Sequence, residues 1–168
     1  MKTRSAACVL IAAALLLSGC AIFGGEARTA PTPAPAFTIS LADGTETSLD
    51  KLRGRPLVLN FGASWCPHCL HELPALKAVS DKYSGKTAFL IVFLKSPEKD
   101  VKSLIDKHSL TCMVGLDPEA VVGKDYNVRG IPETFFIDAS GNIVEEYFGG
   151  MDEGLFSSKI DRLIGTPK

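Results

Sequence analysis

Residues 58–69 read Val58-Leu59-Asn60-Phe61-Gly62-Ala63-Ser64-Trp65-Cys66-Pro67-His68-Cys69. The segment from Leu57 to Phe61 is an apolar run, which is typical of a strand buried on both faces of a sheet. Proline is favoured at the first position of a helix, and apolar residues recur at helical spacing from Leu70 until the Tyr83-Ser84-Gly85 stop. The sequence therefore predicts a central strand that delivers Cys66 and Cys69 to the start of an amphipathic helix.

The spacing of Cys66 and Cys69 favours thiol chemistry. Unpaired N–H groups and the helix dipole favour an anion at a helix start, so we expect a lowered pKa for the Cys66 thiol. Because the thiolate attacks in disulfide exchange, Cys66 is the predicted nucleophile and Cys69 the resolving thiol. A purely structural disulfide would close a short loop and stabilise weakly. A zinc ribbon needs a second ligand pair, and His71, His108 and Cys112 lack that spacing, so no metal site is predicted.

The segments around this unit predict an α/β domain. Residues 37–41 alternate in period two before an Asp43-Gly44 turn, which indicates an N-terminal β-hairpin. Residues 87–94 form a second buried run, followed by a helix capped by Ser96-Pro97 and ending near residue 108. Strand, helix and strand make a βαβ unit.

The second half of the chain predicts shorter elements. A short strand is expected to end at Val114, and Asp117-Pro118-Glu119 opens a brief helix. Residues 134–137 and 143–148 flank Ser140-Gly141-Asn142 and indicate a hairpin, followed by a helix over residues 152–164.

Two segments carry a family resemblance. Residues 58–69 resemble the active-site segment of thioredoxin-like proteins of the TlpA/ResA type. The second segment resembles the cis-proline loop of that family and is similar in its Pro-Glu-Thr-Phe form to cytochrome c maturation thioredoxins; it reads Val128-Arg129-Gly130-Ile131-Pro132-Glu133-Thr134-Phe135-Phe136-Ile137-Asp138. The resemblance covers residues 37–168. It implies a thioredoxin-like α/β fold with a central mixed sheet, helices on both faces, an N-terminal β-hairpin and a helix-containing insertion.

The resemblance also implies roles for residues near the dithiol. It implies a cis Ile131–Pro132 bond lying against the cysteines, with Pro132 in the catalytic centre. The backbone of Gly130 and Ile131 would bind an extended substrate by strand addition. Glu72 matches an acidic residue that assists proton transfer in the family, and an ordinary exposed helix residue is the alternative.

Pro67, His68 and Trp65 are expected to tune the redox centre. The Pro-His dipeptide is similar to that of oxidising DsbA-type proteins, near about −120 mV, whereas thioredoxin lies near about −270 mV. The dipeptide thus favours an oxidase, whereas the thioredoxin-like scaffold favours a reductase. Trp65 is expected to cover the site, although a packing role fits equally well. Gly62 stands where the family often has an aromatic residue.

The N-terminus predicts export and lipidation. Lys2 and Arg4 precede an apolar run that is too short for a confident membrane span, as in a signal peptide. Residues 17–20, Leu-Ser-Gly-Cys, resemble the lipobox in which the cysteine receives lipid. The predicted organisation is a signal peptide over 1–19, lipidated Cys20 with an Ala/Pro-rich tether over 20–36, and a thioredoxin-like domain over 37–168. An uncleaved anchor helix is the alternative.

The composition argues against a disordered chain, a collagen-like or coiled-coil rod, and a nucleic-acid-binding protein. Hydrophobic and charged residues make up 46% and 22% of the chain, as in ordinary globular proteins. Removing residues 1–19 would leave 16 basic against 19 acidic residues, and the absence of a basic cluster argues against nucleic-acid binding.

The sequence therefore predicts an exported thiol-disulfide oxidoreductase on a bacterial membrane, with its domain outside the cytoplasm. We expect it to reduce disulfides of exported proteins, with no cofactor besides the Cys66–Cys69 disulfide. The resemblance implies a membrane thiol reductase as electron donor. A disulfide-donating oxidase of DsbA-like poise and a thioredoxin-fold protein that binds copper or zinc are the alternatives.

Overall fold

The computed structural model describes residues 32–165. The predicted signal peptide, Cys20 and most of the predicted tether lie outside these residues. The helices and strands are, in chain order, β1 (Thr32–Pro33), β2 (Thr38–Ser40), β3 (Glu46–Ser48), α1 (Leu49–Leu52), β4 (Leu57–Gly62), α2 (Pro67–Lys82), β5 (Ala88–Leu94), α3 (Glu98–His108), β6 (Met113–Asp117), α4 (Val121–Asp125), β7 (Glu133–Ile137), β8 (Asn142–Phe148) and α5 (Glu153–Gly165).

A six-stranded mixed sheet in the order β1-β8-β7-β4-β5-β6 forms the centre of the domain. Strands β4, β5 and β6 run parallel, and β7 pairs antiparallel with both β4 and β8. The predicted N-terminal hairpin is confirmed as the antiparallel pair β2–β3. Since β4 lies between β7 and β5, the apolar run of residues 57–61 is the central strand, as predicted.

Both faces of the sheet are covered. On one face, Leu57, Leu59 and Phe61 of β4 pack with the hairpin, α1 and α4. On the other face, Val58 packs with apolar residues of α2, α3 and α5. Every residue of β4 and β5 is buried, which explains their continuous apolar runs. Burial of each large side chain contributes roughly 1.5–3 kcal/mol. The predicted fold, a mixed sheet with helices on both faces, is confirmed.

The domain begins earlier than the sequence predicts. Thr32 and Pro33 pair with β8, although they belong to the predicted tether. Ala34 is buried, and the Tyr126 hydroxyl donates a hydrogen bond to the carbonyl oxygen of Pro35 at 2.9 Å. Alternating prolines removed the strand signal here, but an edge strand tolerates proline because one side of its backbone needs no partner.

Three local predictions were wrong. The brief helix expected to open at Asp117-Pro118-Glu119 is α4, which begins at Val121. The strand expected to end at Val114 spans Met113–Asp117. Ser96 does not cap α3: the N-cap residue is Pro97, and no side chain makes a cap hydrogen bond. The Ser96 hydroxyl instead donates to the carbonyl of Leu94 and accepts from the backbone N–H of Ser64, both at 2.9 Å. Ser96 therefore connects the end of β5 to the turn that precedes the two cysteines.

Within residues 32–165, no helix combines the length and the apolar character needed to span a membrane.

Candidate active site

Cys66 and Cys69 lie where the central strand meets α2. Cys66 is the N-cap residue of α2, Pro67 is its first residue, and the two cysteines form a disulfide with their Cα atoms 5.3 Å apart. The Cys66 sulfur accepts a hydrogen bond from the backbone N–H of Cys69 at 3.3 Å. Because a helix start offers unpaired N–H groups, the same N–H would stabilise a Cys66 thiolate after reduction.

The cis-proline loop lies against the disulfide. The Ile131–Pro132 bond is cis, the geometry that the family resemblance implies. The carbonyl oxygen of Ile131 is 3.9 Å from the Cys66 sulfur, and Pro132 is buried. Neither backbone polar group of Ile131 makes a backbone hydrogen bond within residues 32–165. An extended peptide could therefore pair with Ile131 beside the reactive sulfur.

The residues flanking the cysteines differ in exposure. Cys66 and Cys69 are only 5% and 4% exposed, whereas Trp65 is 61% exposed. The Trp65 indole N–H donates to the carbonyl oxygen of Lys95 at 3.1 Å, so the ring is held at the surface rather than packed in the core. Pro67 and His68 are also exposed. The Trp65 ring therefore offers an apolar surface to a substrate beside the disulfide, and the hydrogen bond of its indole N–H fixes its position.

Glu72 is buried beneath the active site, not exposed as an ordinary helix residue would be. Its carboxylate accepts hydrogen bonds from the backbone N–H of Met151 at 2.9 Å and from the amide of Asn60 at 3.2 Å. Burial raises the pKa of Glu72 from 4.5 to about 7, although both hydrogen bonds act to lower it. A carboxyl group that titrates near neutrality can accept or donate a proton at physiological pH.

Asn60 and Thr134 complete a buried polar cluster that the sequence interpretation missed. The Asn60 amide donates to Glu72 and, at 2.9 Å, to the Thr134 hydroxyl. Asn60 and Thr134 face each other on β4 and β7. One signal was present in the sequence, because a buried polar residue inside an apolar run needs partners. Nothing in the sequence named those partners.

Two glycines give the site its shape. A Cβ atom on Gly62 would lie 3.3 Å from Cβ and 3.5 Å from the sulfur of Cys69, so a larger residue would press on Cys69. A Cβ atom on Gly130 would lie 2.7 Å from the ring of Phe148. Phe148 is 62% exposed and was not among the predicted site residues. Its ring covers the predicted substrate-binding backbone of Gly130 from one side.

A second buried carboxyl group supports the cis-proline loop. Glu133 accepts a hydrogen bond from the backbone N–H of Arg129 at 3.0 Å, and its other oxygen has no partner within residues 32–165. Burial raises the pKa of Glu133, and the nearby Glu146 carboxyl raises it further. Glu133 therefore fixes the start of the loop that carries Ile131.

A third cysteine, Cys112, lies just before β6. It is half-buried, and burial raises the pKa of its thiol to about 11, which disfavours a reactive thiolate. Among residues 32–165, no group of three His, Cys, Asp or Glu side chains is placed to hold a metal ion.

The fold and the dithiol agree with known proteins. The Redoxin family model matches residues 29–164. The chain is similar to the thioredoxin-like protein YneN of Bacillus subtilis, with 32% identity over 131 residues, or 76% of each chain. It is 33% identical over 129 residues to the thiol:disulfide interchange protein DsbE of Pseudomonas fluorescens, covering 76% of this chain and 71% of that one.

Solved structures show the same similarity. A thiol:disulfide interchange protein of Chlorobium tepidum superimposes with a TM-score of 0.74 at 29% identity, covering 82% of this chain and 99% of the other. The exposed lipoprotein thioredoxin Etrx1 of Streptococcus pneumoniae gives a TM-score of 0.68 at 26% identity, covering 76% and 99%.

A disulfide at a helix start, on a thioredoxin-like sheet, defines the class of thiol-disulfide oxidoreductases. The chain belongs to the Redoxin family, and it is an enzyme of that class.

Proposed function

We propose that this oxidoreductase reduces disulfides of proteins outside the cytoplasm, with Cys66 as nucleophile and Cys69 as resolving thiol. The observation that carries the proposal is that the Cys66 sulfur lies next to both the Cys69 N–H and the Ile131 carbonyl. Its sulfur accepts the Cys69 N–H at 3.3 Å and lies 3.9 Å from the carbonyl oxygen of Ile131. A thiolate-stabilising donor and a free peptide-binding backbone thus meet at one sulfur.

The reaction proceeds in two exchanges. The Cys66 thiolate attacks one sulfur of the client disulfide, and the other client sulfur leaves as a thiolate that takes a proton. Cys69 then loses its proton and attacks the Cys66 sulfur of the mixed disulfide. The second client thiolate leaves, and the Cys66–Cys69 disulfide forms, so the client gains the two electrons that the dithiol loses. A membrane thiol reductase would supply two further electrons that reduce the Cys66–Cys69 disulfide to the dithiol again.

Glu72 is the proposed proton acceptor for Cys69. The two residues are one helical turn apart on α2, where side chains at i and i+3 are neighbours. With a pKa of about 7, the Glu72 carboxylate can take a proton when Cys69 attacks. When ionised, the Glu72 carboxylate also repels a thiolate beside it and so destabilises that thiolate. Because a stabilised thiolate makes DsbA an oxidant, a destabilised thiolate supports assignment of this enzyme as a reductant.

The proposed location is a bacterial membrane, with Cys20 carrying the lipid and the domain in the periplasm or extracytoplasmic space. The lipobox resemblance of residues 17–20 supports it, and the pneumococcal neighbour is an exposed lipoprotein by its name. The folded domain starts by Thr32, so a tether of about ten residues would hold it within roughly 35 Å of the bilayer. Labelled palmitate should enter the wild-type protein but not Cys20→Ser. Failure of the wild type to incorporate label would refute the anchor.

The direction of electron flow is tested by the reduction potential in a glutathione buffer, together with insulin reduction under a chemical dithiol donor. We expect a potential closer to thioredoxin, at about −270 mV, than to DsbA, at about −120 mV.

In cells, Cys69→Ala should trap mixed disulfides with exported clients, whereas Cys66→Ala should trap none. A DsbA-like potential without insulin reduction would establish the oxidase instead. One equivalent of bound copper, lost in both cysteine variants, would favour the metal-binding alternative.

A further inference from the structure

A groove runs along the surface beside Trp65 and the cis-proline loop. It has a volume of about 390 Å³ and is lined by side chains from the end of β5, from α4 and from residues 128–131. Leu94 and Val128 provide apolar walls, and Trp65 and Ile131 stand at the end next to the disulfide. A Cβ atom on Gly123 would lie 2.9 Å from the Leu94 side chain, so glycine at this position lets α4 pack closely against the end of β5.

The charged side chains of this groove are all cationic. Lys95, Lys124 and Arg129 line it, and no acidic residue is among its lining residues within the described chain. Arg129 pairs with Glu146 at 2.8 Å. Lys95 and Lys124 form no salt bridge within residues 32–165, so two positive charges face the groove without a counter-charge.

A second cavity next to the dithiol segment has a different charge. It is lined by His68, which lies between the two cysteines in sequence, and by His71, Glu72, Asp152 and Glu153 among others, and none of its lining residues within the described chain is a lysine or an arginine. The carboxylates of Asp152 and Glu153 would repel an acidic client segment, whereas the lysines of the groove would attract one.

The groove is reachable from the point of chemistry. A client strand that pairs with Ile131 places its cysteine at Cys66, because the Ile131 carbonyl is 3.9 Å from the Cys66 sulfur. Trp65 directly precedes Cys66, lines the groove together with Lys95 and Lys124, and is held there by its hydrogen bond to the Lys95 carbonyl. Residues adjacent to the client cysteine would therefore enter the groove.

We propose that the groove lined by Trp65, Lys95 and Lys124 selects client segments that carry acidic side chains next to the reactive cysteine. The inference rests on the proposed disulfide exchange at Cys66 and adds its substrate class. Apolar contact with Trp65 supplies the surface, and the two unpaired lysines supply the charge preference. An attraction of this kind acts on encounter and weakens with added salt.

The test uses the full-length protein and three disulfide-bonded peptides that differ only beside the cysteine, with glutamates, lysines or neutral glutamines. We expect kcat/KM for the acidic peptide to exceed that for the basic peptide about fivefold at low ionic strength, as two exposed ion pairs allow. The double variant Lys95→Gln/Lys124→Gln should lose this preference. The matched control Lys51→Gln/Lys86→Gln should keep it, because α1 precedes β4 and Lys86 precedes β5, so both lysines lie toward the N-terminal ends of these parallel strands, whereas Lys95 follows the C-terminal end of β5.

The peptides separate the two levels of the proposal. Failure to reduce even the neutral peptide would refute the reductase function itself. Reduction of all three peptides at equal rates, or a preference retained in Lys95→Gln/Lys124→Gln, would overturn the groove assignment while leaving the reductase function intact. Binding of vesicles with anionic lipid that needs both lysines, without discrimination among the peptides, would likewise overturn it and assign the lysines to the membrane surface.

Discussion

Asn60 donates a hydrogen bond to Glu72, with 3.2 Å between Nδ2 and Oε2. The bond joins the central strand that leads to the active site to the helix that Cys66 begins. Thr134 accepts from the same amide, so β7, β4 and α2 share one buried polar cluster. A buried carboxyl group whose protonation changes with pH is thereby linked to the elements that position both cysteines.

We expect Glu72→Gln to change how stability depends on pH. The folded-state pKa of about 7 exceeds the ordinary value of 4.5, so the protonated form is favoured by folding. Its contribution to stability is fully present below about pH 4.5 and is lost as pH rises through about 7. The wild type should lose this contribution between pH 4.5 and pH 8, whereas Glu72→Gln has no carboxyl group to titrate. The unfolding free energy of Glu72→Gln should therefore rise by about 3 kcal/mol relative to that of the wild type over this range, as a pKa shift from 4.5 to about 7 implies.

Urea unfolding of the oxidised protein at both pH values measures this difference. Glu119→Gln, at an exposed position, serves as the control and should follow wild type. Parallel pH profiles for wild type and Glu72→Gln would contradict the assignment of a raised pKa to Glu72.

Asn60→Leu should raise the pKa of Glu72 above about 7. The Asn60 amide lowers that pKa by donating to the carboxylate, so its removal favours the protonated acid. Thr134→Val removes a partner of Asn60 that makes no hydrogen bond to Glu72 among residues 32–165, and it should shift the titration less. Carboxyl-carbon NMR of Glu72 against pH measures both. A larger shift in Thr134→Val than in Asn60→Leu would show that the direct bond is not what holds the pKa down.

Cys66 should titrate at a lower pH than Cys69. The Cys69 N–H points at the Cys66 sulfur at the start of α2, where the helix dipole favours an anion, whereas Cys69 lies inside the first turn. Ultraviolet absorbance of the thiolate, recorded against pH in Cys69→Ala and in Cys66→Ala, compares the two. If the thiol that remains in Cys66→Ala ionises first, the roles of nucleophile and resolving thiol are reversed.

Ser96→Ala should destabilise the turn that precedes the cysteines. The Ser96 hydroxyl is buried and accepts the Ser64 N–H, so its removal leaves that N–H without its partner at a cost of about 1–3 kcal/mol. Disulfide exchange should slow as well, since Trp65 and Cys66 follow Ser64 directly. Ser103→Ala, at an exposed position of α3, is the matched control. Equal unfolding free energies for Ser96→Ala and Ser103→Ala would rule out this bracing role.

The sequence by itself determined the central strand, the helix that follows it and the placement of Cys66 at their junction. Periodicity, the proline at the first helical position and the glycine stop are local signals, because they depend on backbone geometry within a few residues. The resemblance of residues 128–138 to a cis-proline loop added the second half of the site. Those expectations agree with the structure, in which the Ile131 carbonyl lies beside the Cys66 sulfur.

The tertiary structure alone decided which polar groups meet. From the sequence, Glu72 fits an exposed or a buried helix position equally well, until the loop before α5 and strand β4 bring the Met151 N–H and the Asn60 amide to its carboxylate. Ser96 reads as a helix cap until the turn at Ser64 competes for its hydroxyl. Lys95 and Lys124 are unrelated in sequence and share a groove only because α4 packs beside the end of β5. Burial, and with it the pKa of a carboxyl group, depends on contacts between distant segments, which no local pattern of residues records.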